Sequence, residues 1–436
     1  MKRALIVVAA LSIVAAACTS DGSDANTGSG ADAPTGGPVQ VELWHGQVDT
    51  AKKAMDEAVE EFNASQDDVE VVVSSGGVTP DQMLPKVTTA IASGTYPDIA
   101  YMYGSWGGNL ATSPAIADLT SIVAQPDVNW EDFWPAARET ATVDGKVIGF
   151  PAIIDNLSVV YNKKVFDDAG VAYPSPDWTW DEFRQTAAEL TDPSKNIYGV
   201  NYPVTGSEDT VWRFWPFLWQ AGGEVLTEDG TQATFNSEAG VEALTFWQQM
   251  AVEDGSVYLD PTEEKAEPLF TSGHLAMFIT GPWEVPVLEQ QDMNWGDQVL
   301  PSYDGTTHET IAGPDMWAVF DNGEARVQAA AEFLTWFTGP GPQLEYWMKG
   351  AGSLPLRESI QEDPGYQDYL DAFPGIDAMA DNLANALHTR PAVTQYPRIS
   401  KAIGDSISAV LLGEMQPKEA LDQAAEQSNA FLNVPA

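Results

Sequence analysis

Fifteen tryptophans are spread through the chain, many of them beside glycine, proline, aspartate or asparagine rather than at the spacing of a helix core. An indole offers a flat apolar face and one N–H donor, which suits a ligand with apolar faces and a polar rim. Three short segments near the N-terminus end in residues of matching chemistry. His45 and Gln47 follow Val39–Leu43, Gly76 and Gly77 follow Val69–Val73, and Tyr103, Ser105 and Trp106 follow Pro97–Met102. Imidazole, amide and hydroxyl groups can exchange hydrogen bonds with ligand hydroxyls. The usual catalytic signatures are missing from the sequence: no glycine-rich phosphate loop ending in Lys-Ser or Lys-Thr, no paired-histidine metal spacing and no G-x-S-x-G elbow. The histidines at 45, 274, 308 and 388 are too scattered for a local ligand cluster, so neither a metal nor a cofactor is expected.

These residues sit on a recognisable alternation of elements. Val39–Leu43 alternates apolar and polar as a strand does, and a helix from about Thr50 places Met55, Val59 and Phe62 on one face. Val69–Val73 reads as a second strand, Leu84, Val87 and Ile91 mark a second helix, and Pro97–Met102 is a third strand. The order predicts an α/β fold with a mostly parallel sheet covered by helices on both faces. In such sheets ligands bind beyond the carboxyl ends of the strands, where His45, Gln47, Tyr103, Ser105 and Trp106 lie. Further along, Thr179 and Glu182 form a capping box that opens a helix with Phe183, Ala187 and Leu190 turned inward.

Met1-Lys2-Arg3 and the apolar run Ala4–Ala17 read as a signal peptide over 1–17, too short to span a bilayer. Ala15-Ala16-Ala17-Cys18 resembles a bacterial lipobox, although such motifs more often carry leucine where Ala15 stands. Cys18 has no second cysteine to pair with, so it is expected to be lipidated, with 18–38 as a flexible tether of Ser, Gly, Asp, Thr and Ala. That places the protein on the extracytoplasmic face of a bacterial cell membrane. The roughly 400 residues that remain favour two domains. A balance of 20 basic against 64 acidic residues, net charge −44, excludes nucleic-acid binding by the whole chain and argues against a polyanionic ligand.

The later stretches form an ordered series. It runs through Gly145–Pro151, Asp155–Phe166, Trp178–Phe183, Phe270–Phe278, Gly281-Pro282-Trp283, Ala312–Val319 and Gly352–Arg357. Taken in order, from Val39 to Leu432, they resemble the family 1 extracellular solute-binding proteins of ABC importers, the group that includes the maltose-binding protein. The resemblance implies two α/β lobes around a ligand cleft, joined by a hinge crossed three times, near 151–156, 311–317 and 361–366. Lobe one is then expected over 39–152 plus 314–362, and lobe two over 156–311 plus 366–432.

It also implies site residues. Trp212 and Arg213 fall where relatives place an aromatic platform; Trp283 follows Gly281-Pro282 at a cleft-lining position; Asp155 stands at the first hinge crossing. Arg357, in a loop rich in glycine and proline, and Tyr396, near a stacking position, complete the expected set with the strand-end residues. The ligand implied is a neutral sugar, an oligosaccharide of two or more units. The partners implied are ABC permease subunits with their ATPase, and the receptor itself is expected to be a monomer. A secreted glycoside hydrolase using two carboxylates is the competing class, and the order of the lobe motifs favours the binding protein.

Overall fold

The computed structural model describes residues 37–74, 77–262 and 264–433. The expected signal peptide, Cys18, nearly all of the tether and Gly76 lie outside the described residues. Pro38–Ala436 is one compact unit, built as two lobes.

The first lobe is organised by a five-stranded sheet in the order Val69–Ser74, Val39–Trp44, Ile99–Tyr103, Asp315–Val319, Gly149–Ile153. The first three strands pair in parallel as their strand–helix alternation requires. Asp315–Val319 inserts antiparallel between Ile99–Tyr103 and Gly149–Ile153, because the chain returns to this lobe from the opposite direction. Side chains leave a strand to alternate faces, and the two faces bury different cores. Tyr101 and Trp317 point to one, shared with Met55, Val59 and Phe62 of the helix Asp49–Ser65 and Phe333 of Glu324–Phe337. Ala100, Met102, Met316 and Ala318 point to the other, shared with Met83, Leu84 and Val87 of the helix Met83–Ser93.

The second lobe departs from the parallel expectation. Ser158–Asn162 is the centre of a three-stranded sheet, antiparallel to both Met277–Thr280 and Trp295–Val299. The parallel pair Val200–Pro203 and Val257–Asp260 joins it through the bridge between Tyr198 and Leu275. Helices Glu208–Gln220, Glu238–Gln248, Tyr396–Leu411 and Pro417–Leu432 bury a shared core beside it. The capping box forms: Thr179 N donates to Glu182 Oε2 at 2.7 Å, and Phe183, Ala187 and Leu190 are buried.

Between the sheets the chain is tied to itself. Asn156 Nδ2 donates to the Met379 carbonyl at 2.7 Å, and Asn382 Nδ2 donates to Asn156 Oδ1 and to the Leu157 carbonyl, both at 3.1 Å. Thr310–Ile311 pairs in parallel with Ala386–His388. The Tyr369 hydroxyl on the helix Pro364–Ala372 donates to the carbonyls of Met348 and Ser353, whereas the next helix, Ile376–Asp381, packs on the strand Trp295–Val299 of the second lobe.

Candidate functional site

A cavity of about 260 Å³ lies between the lobes. From lobe one it is lined by Gln47, Tyr101, Tyr103 and Asp315, and from lobe two by Glu208, Trp212, Arg213, Trp283 and Glu284; Asp155 and Gly313 contribute from the segments that join them. The helix Glu208–Gln220 supplies most of the second wall, since its first two turns carry Glu208, Asp209, Trp212 and Arg213 toward the cleft while Phe214, Trp215 and Phe217 are buried in its lobe.

Trp212 and Trp283 form an aromatic pair, ring centroids 5.5 Å apart and tilted by 36°. Trp212 is 8% exposed and its Nε1 finds no acceptor among the described residues; Trp283 is half-buried. Beside them Asp155 is 6% exposed with Oδ1 unpartnered. A side chain at Gly313 would meet that oxygen at 2.2 Å and the Trp212 ring at 2.6 Å, so only glycine lets both reach the wall.

Arg390 ties the floor together. Its Nη2 donates to Asp315 Oδ1 at 3.0 Å, its Nη1 lies 3.7 Å from Glu208 Oε1, and its guanidinium stands over the rings of Tyr103 and Trp212 at 5.3 and 5.7 Å. Asp315 also accepts from the Tyr101 hydroxyl at 2.7 Å and the Gly104 amide at 3.1 Å. Burial pushes the Asp155 carboxyl well above the usual carboxylate range; the neighbouring Asp315 adds to this and Arg390 opposes it. Burial likewise raises Asp315 and Glu208 against the pull of Arg390. Arg390 stays charged, because Asp315 and Glu208 outweigh the cost of burying it.

Of the residues expected from the sequence, the structure brings Gln47, Tyr103, Asp155, Trp212, Arg213 and Trp283 to this cavity. The others lie off its wall. His45 is fully buried behind it: its Nδ1 accepts the Gln47 amide at 2.8 Å, and burial lowers its pKa to about 4, so the ring is a neutral support for the Gln47 turn. Trp106 turns into the core on the helix Met83–Ser93 side, with its ring 4.4 Å from that of Tyr103, and buried Ser105 lines a neighbouring pocket instead. Arg357 is locked inside lobe one, donating to the carbonyls of Thr338, Asn129 and Val128 at 2.6, 3.0 and 3.1 Å over the Phe133 ring. Tyr396 is fully buried one layer back, where its hydroxyl accepts from Trp215 Nε1 and donates to Glu208 Oε1, both at 3.0 Å. Tyr101, Glu208, Glu284, Asp315 and Arg390 escaped the sequence reading. Tyr101 lies within Pro97–Met102 and Asp315 within Ala312–Val319, but nothing in their spacing marks them; Arg390 follows the short strand Ala386–His388 with no motif at all.

The model of the family described as bacterial extracellular solute-binding protein matches residues 57–374. The chain belongs to that family. The cyclic alpha-maltosyl-1,6-maltose binding protein of Arthrobacter globiformis is 31% identical, with a TM-score of 0.73 over 91% of this chain and 99% of that one. An ABC substrate-binding protein of Listeria monocytogenes, solved in complex with cycloalternan, is 26% identical, with a TM-score of 0.80 over 91% and 100%. The sn-glycerol-3-phosphate-binding periplasmic protein UgpB of Salmonella paratyphi A is 23% identical over 90% of this chain and 92% of its own length. The family and these relatives are binding proteins, which favours that class over a glycoside hydrolase. Among the described residues no helix is long and apolar enough to cross a membrane, and no cluster of three or more His, Cys, Asp or Glu is arranged to hold a metal.

Proposed function

We propose that the protein captures a short saccharide between its lobes and delivers it to the permease of an ABC importer, without catalysing a reaction. The carrying observation is the pair of buried, unpartnered groups on the cavity wall, the Asp155 Oδ1 acceptor and the Trp212 Nε1 donor, set beside the Trp212–Trp283 pair. Buried polar groups are normally satisfied, and ligand hydroxyls at the edge of a ring lying on an aromatic face meet both needs. The cavity volume of about 260 Å³ suits one or two sugar rings better than a long chain. A phosphate ligand is disfavoured, because Asp49, Asp155, Glu208, Asp209, Glu267, Glu284 and Asp315 outnumber Arg213 and Arg390 along the wall, and both arginines are already paired with acids.

The lobes in this reading meet through segments 154–157 and 312–314. The final passage falls near 373–375, a few residues past 361–366, because the helix Pro364–Ala372 still holds to lobe one. A ligand touching both walls favours closure by its differential affinity alone. We further assign residues 1–17 to a signal peptide and Cys18 to a lipid anchor for a monomeric receptor. Cys18→Ala is expected to move the protein from the membrane fraction to the medium.

The functional test is a thermal-shift screen of the purified protein against mono- and disaccharides, with glycerol 3-phosphate as the anionic control. Ligand at a thousandfold excess over Kd stabilises by about 4 kcal/mol. A saccharide-specific shift with no sugar consumed supports the receptor reading. A shift with glycerol 3-phosphate alone refutes the saccharide assignment, and turnover of the sugar refutes the non-enzymatic one.

A further inference from the structure

The carboxylates of the cavity are unevenly matched. On the floor, Arg390 stands between Asp315 and Glu208 and offsets them. At the other end Glu284, next to Trp283, is acted on by Glu267, Asp209 and Asp49, and the one cation among these groups is Arg213. That guanidinium is already engaged by the Asp209 carboxylate and donates to the carbonyls of Ile279 at 2.9 Å and Asp209 at 3.2 Å. The acids come from separate elements of both lobes: Asp49 opens the helix Asp49–Ser65 of lobe one, Asp209 lies in Glu208–Gln220 and Glu267 in Ala266–Thr271. Closing the lobes therefore gathers like charges, and among the described residues neither Asp49, Glu267 nor Glu284 forms an ion pair in return. Glu284 Oε2 is shielded from solvent and meets no hydrogen-bond partner among the described residues.

A second observation on the same wall points the same way. Asp155 lines the cavity and is more than nine-tenths buried, and its Oδ1 meets no hydrogen-bond partner among the described residues. The Trp212–Trp283 pair lines the same cavity as these two acids. Indole faces attract a cation through their negative quadrupole, and a desolvated carboxylate binds one by a charge-assisted hydrogen bond. A sugar bearing only hydroxyls satisfies the orphan oxygens but brings no cation to the acids gathered around Glu284.

We propose that the ligand carries a basic nitrogen, as an amino sugar or other aminated polyol does, and that its ammonium is received at the Glu284 end of the cavity beside Trp283. The assignment rests on the reading of this cavity as a saccharide site. In the empty protein burial and the neighbouring acids push the Glu284 carboxyl up to about 8, so it holds a proton at neutral pH. Arrival of the ammonium replaces that proton, which leaves to solvent as Glu284 becomes the counter-ion.

Calorimetric titration with two matched sets tests this at pH 7: glucosamine, N-acetylglucosamine and glucose, then the corresponding β-1,4-linked disaccharides. The amine form is expected to bind about tenfold or more tightly than both uncharged forms, the scale of one desolvated cation–π contact and ion pair. In Glu284→Gln, checked for folding by its melting curve, that ratio is expected to fall toward one. Equal or tighter binding of the uncharged forms overturns the ammonium site and leaves the saccharide receptor standing. An amine preference that survives in Glu284→Gln overturns the role given to Glu284. Binding of glycerol 3-phosphate and of none of these sugars overturns both readings.

Discussion

Replacing Glu284 by glutamine should stabilise the empty protein, and the gain should grow with pH. Glutamine copies the protonated acid in size and polarity but cannot ionise. The carboxyl is raised in the fold from 4.5 to about 8 by burial and by Glu267, Asp209 and Asp49. Between those values the folded state holds a proton that the unfolded chain has released, so stability falls as pH rises through this window. The penalty integrates to less than about 1 kcal/mol at pH 5 and about 3 kcal/mol at pH 7. At roughly 1–2 °C per kcal/mol for a chain of this length, Glu284→Gln should melt about 1 °C above the parent at pH 5 and about 3–6 °C above it at pH 7. Circular-dichroism melts of ligand-stripped protein from pH 5 to 8 read the difference directly. A gap that does not change with pH, or a parent that melts higher throughout, refutes the buried-acid account of this end of the cavity.

Trp283→Ala, at a half-buried position, should weaken saccharide binding by about tenfold or more while lowering the melting temperature little, as calorimetry and melting curves will show. Trp212 is packed into the lobe-two core, and its truncation to alanine should cost about 3–5 kcal/mol, so its contribution to binding is better measured on Trp212→Phe. Arg357→Met strips donors from the Val128, Asn129 and Thr338 carbonyls and should destabilise by several kcal/mol in urea unfolding. The folded fraction at low temperature should bind ligand with unchanged affinity; weakened binding there would return Arg357 to the site. Gly352 has φ +65°, and a Cβ there would stand 2.0 Å from the Pro282 carbonyl across the lobe seam. Gly352→Val should hold the lobes apart, seen as a larger radius of gyration by small-angle scattering with saturating ligand, and a radius equal to the parent's would show that the seam yields.

The parts of this molecule that local pattern controls were legible. The first three strands, the buried faces of the helices Asp49–Ser65 and Met83–Ser93 and the Thr179–Glu182 cap all follow from spacing within a few residues. Trp212, Trp283 and Asp155 were reachable because ordered motifs located them. The strand-end rule placed His45 and Trp106 near the cleft but could not say which way each side chain turns, and both turn inward. Arg357 illustrates the reverse problem: its glycine- and proline-rich surroundings suggested an exposed loop, yet three backbone carbonyls distant in sequence enclose it. The Arg390–Asp315–Glu208 floor joins groups 75 or more positions apart, and no periodicity encodes such a meeting.

The strand Asp315–Val319 lies between Ile99–Tyr103 and Gly149–Ile153, two strands that precede it by more than 150 residues. A chain released N-terminus first, from a ribosome or a membrane channel, therefore shows two facing unpaired strand edges until that late segment arrives. Pairings this remote in sequence form slowly, and open edges invite pairing with other chains in the meantime. The insertion delays lobe one until nearly three-quarters of the polypeptide is available, which leaves its earlier strands dependent on protection from aggregation while they wait.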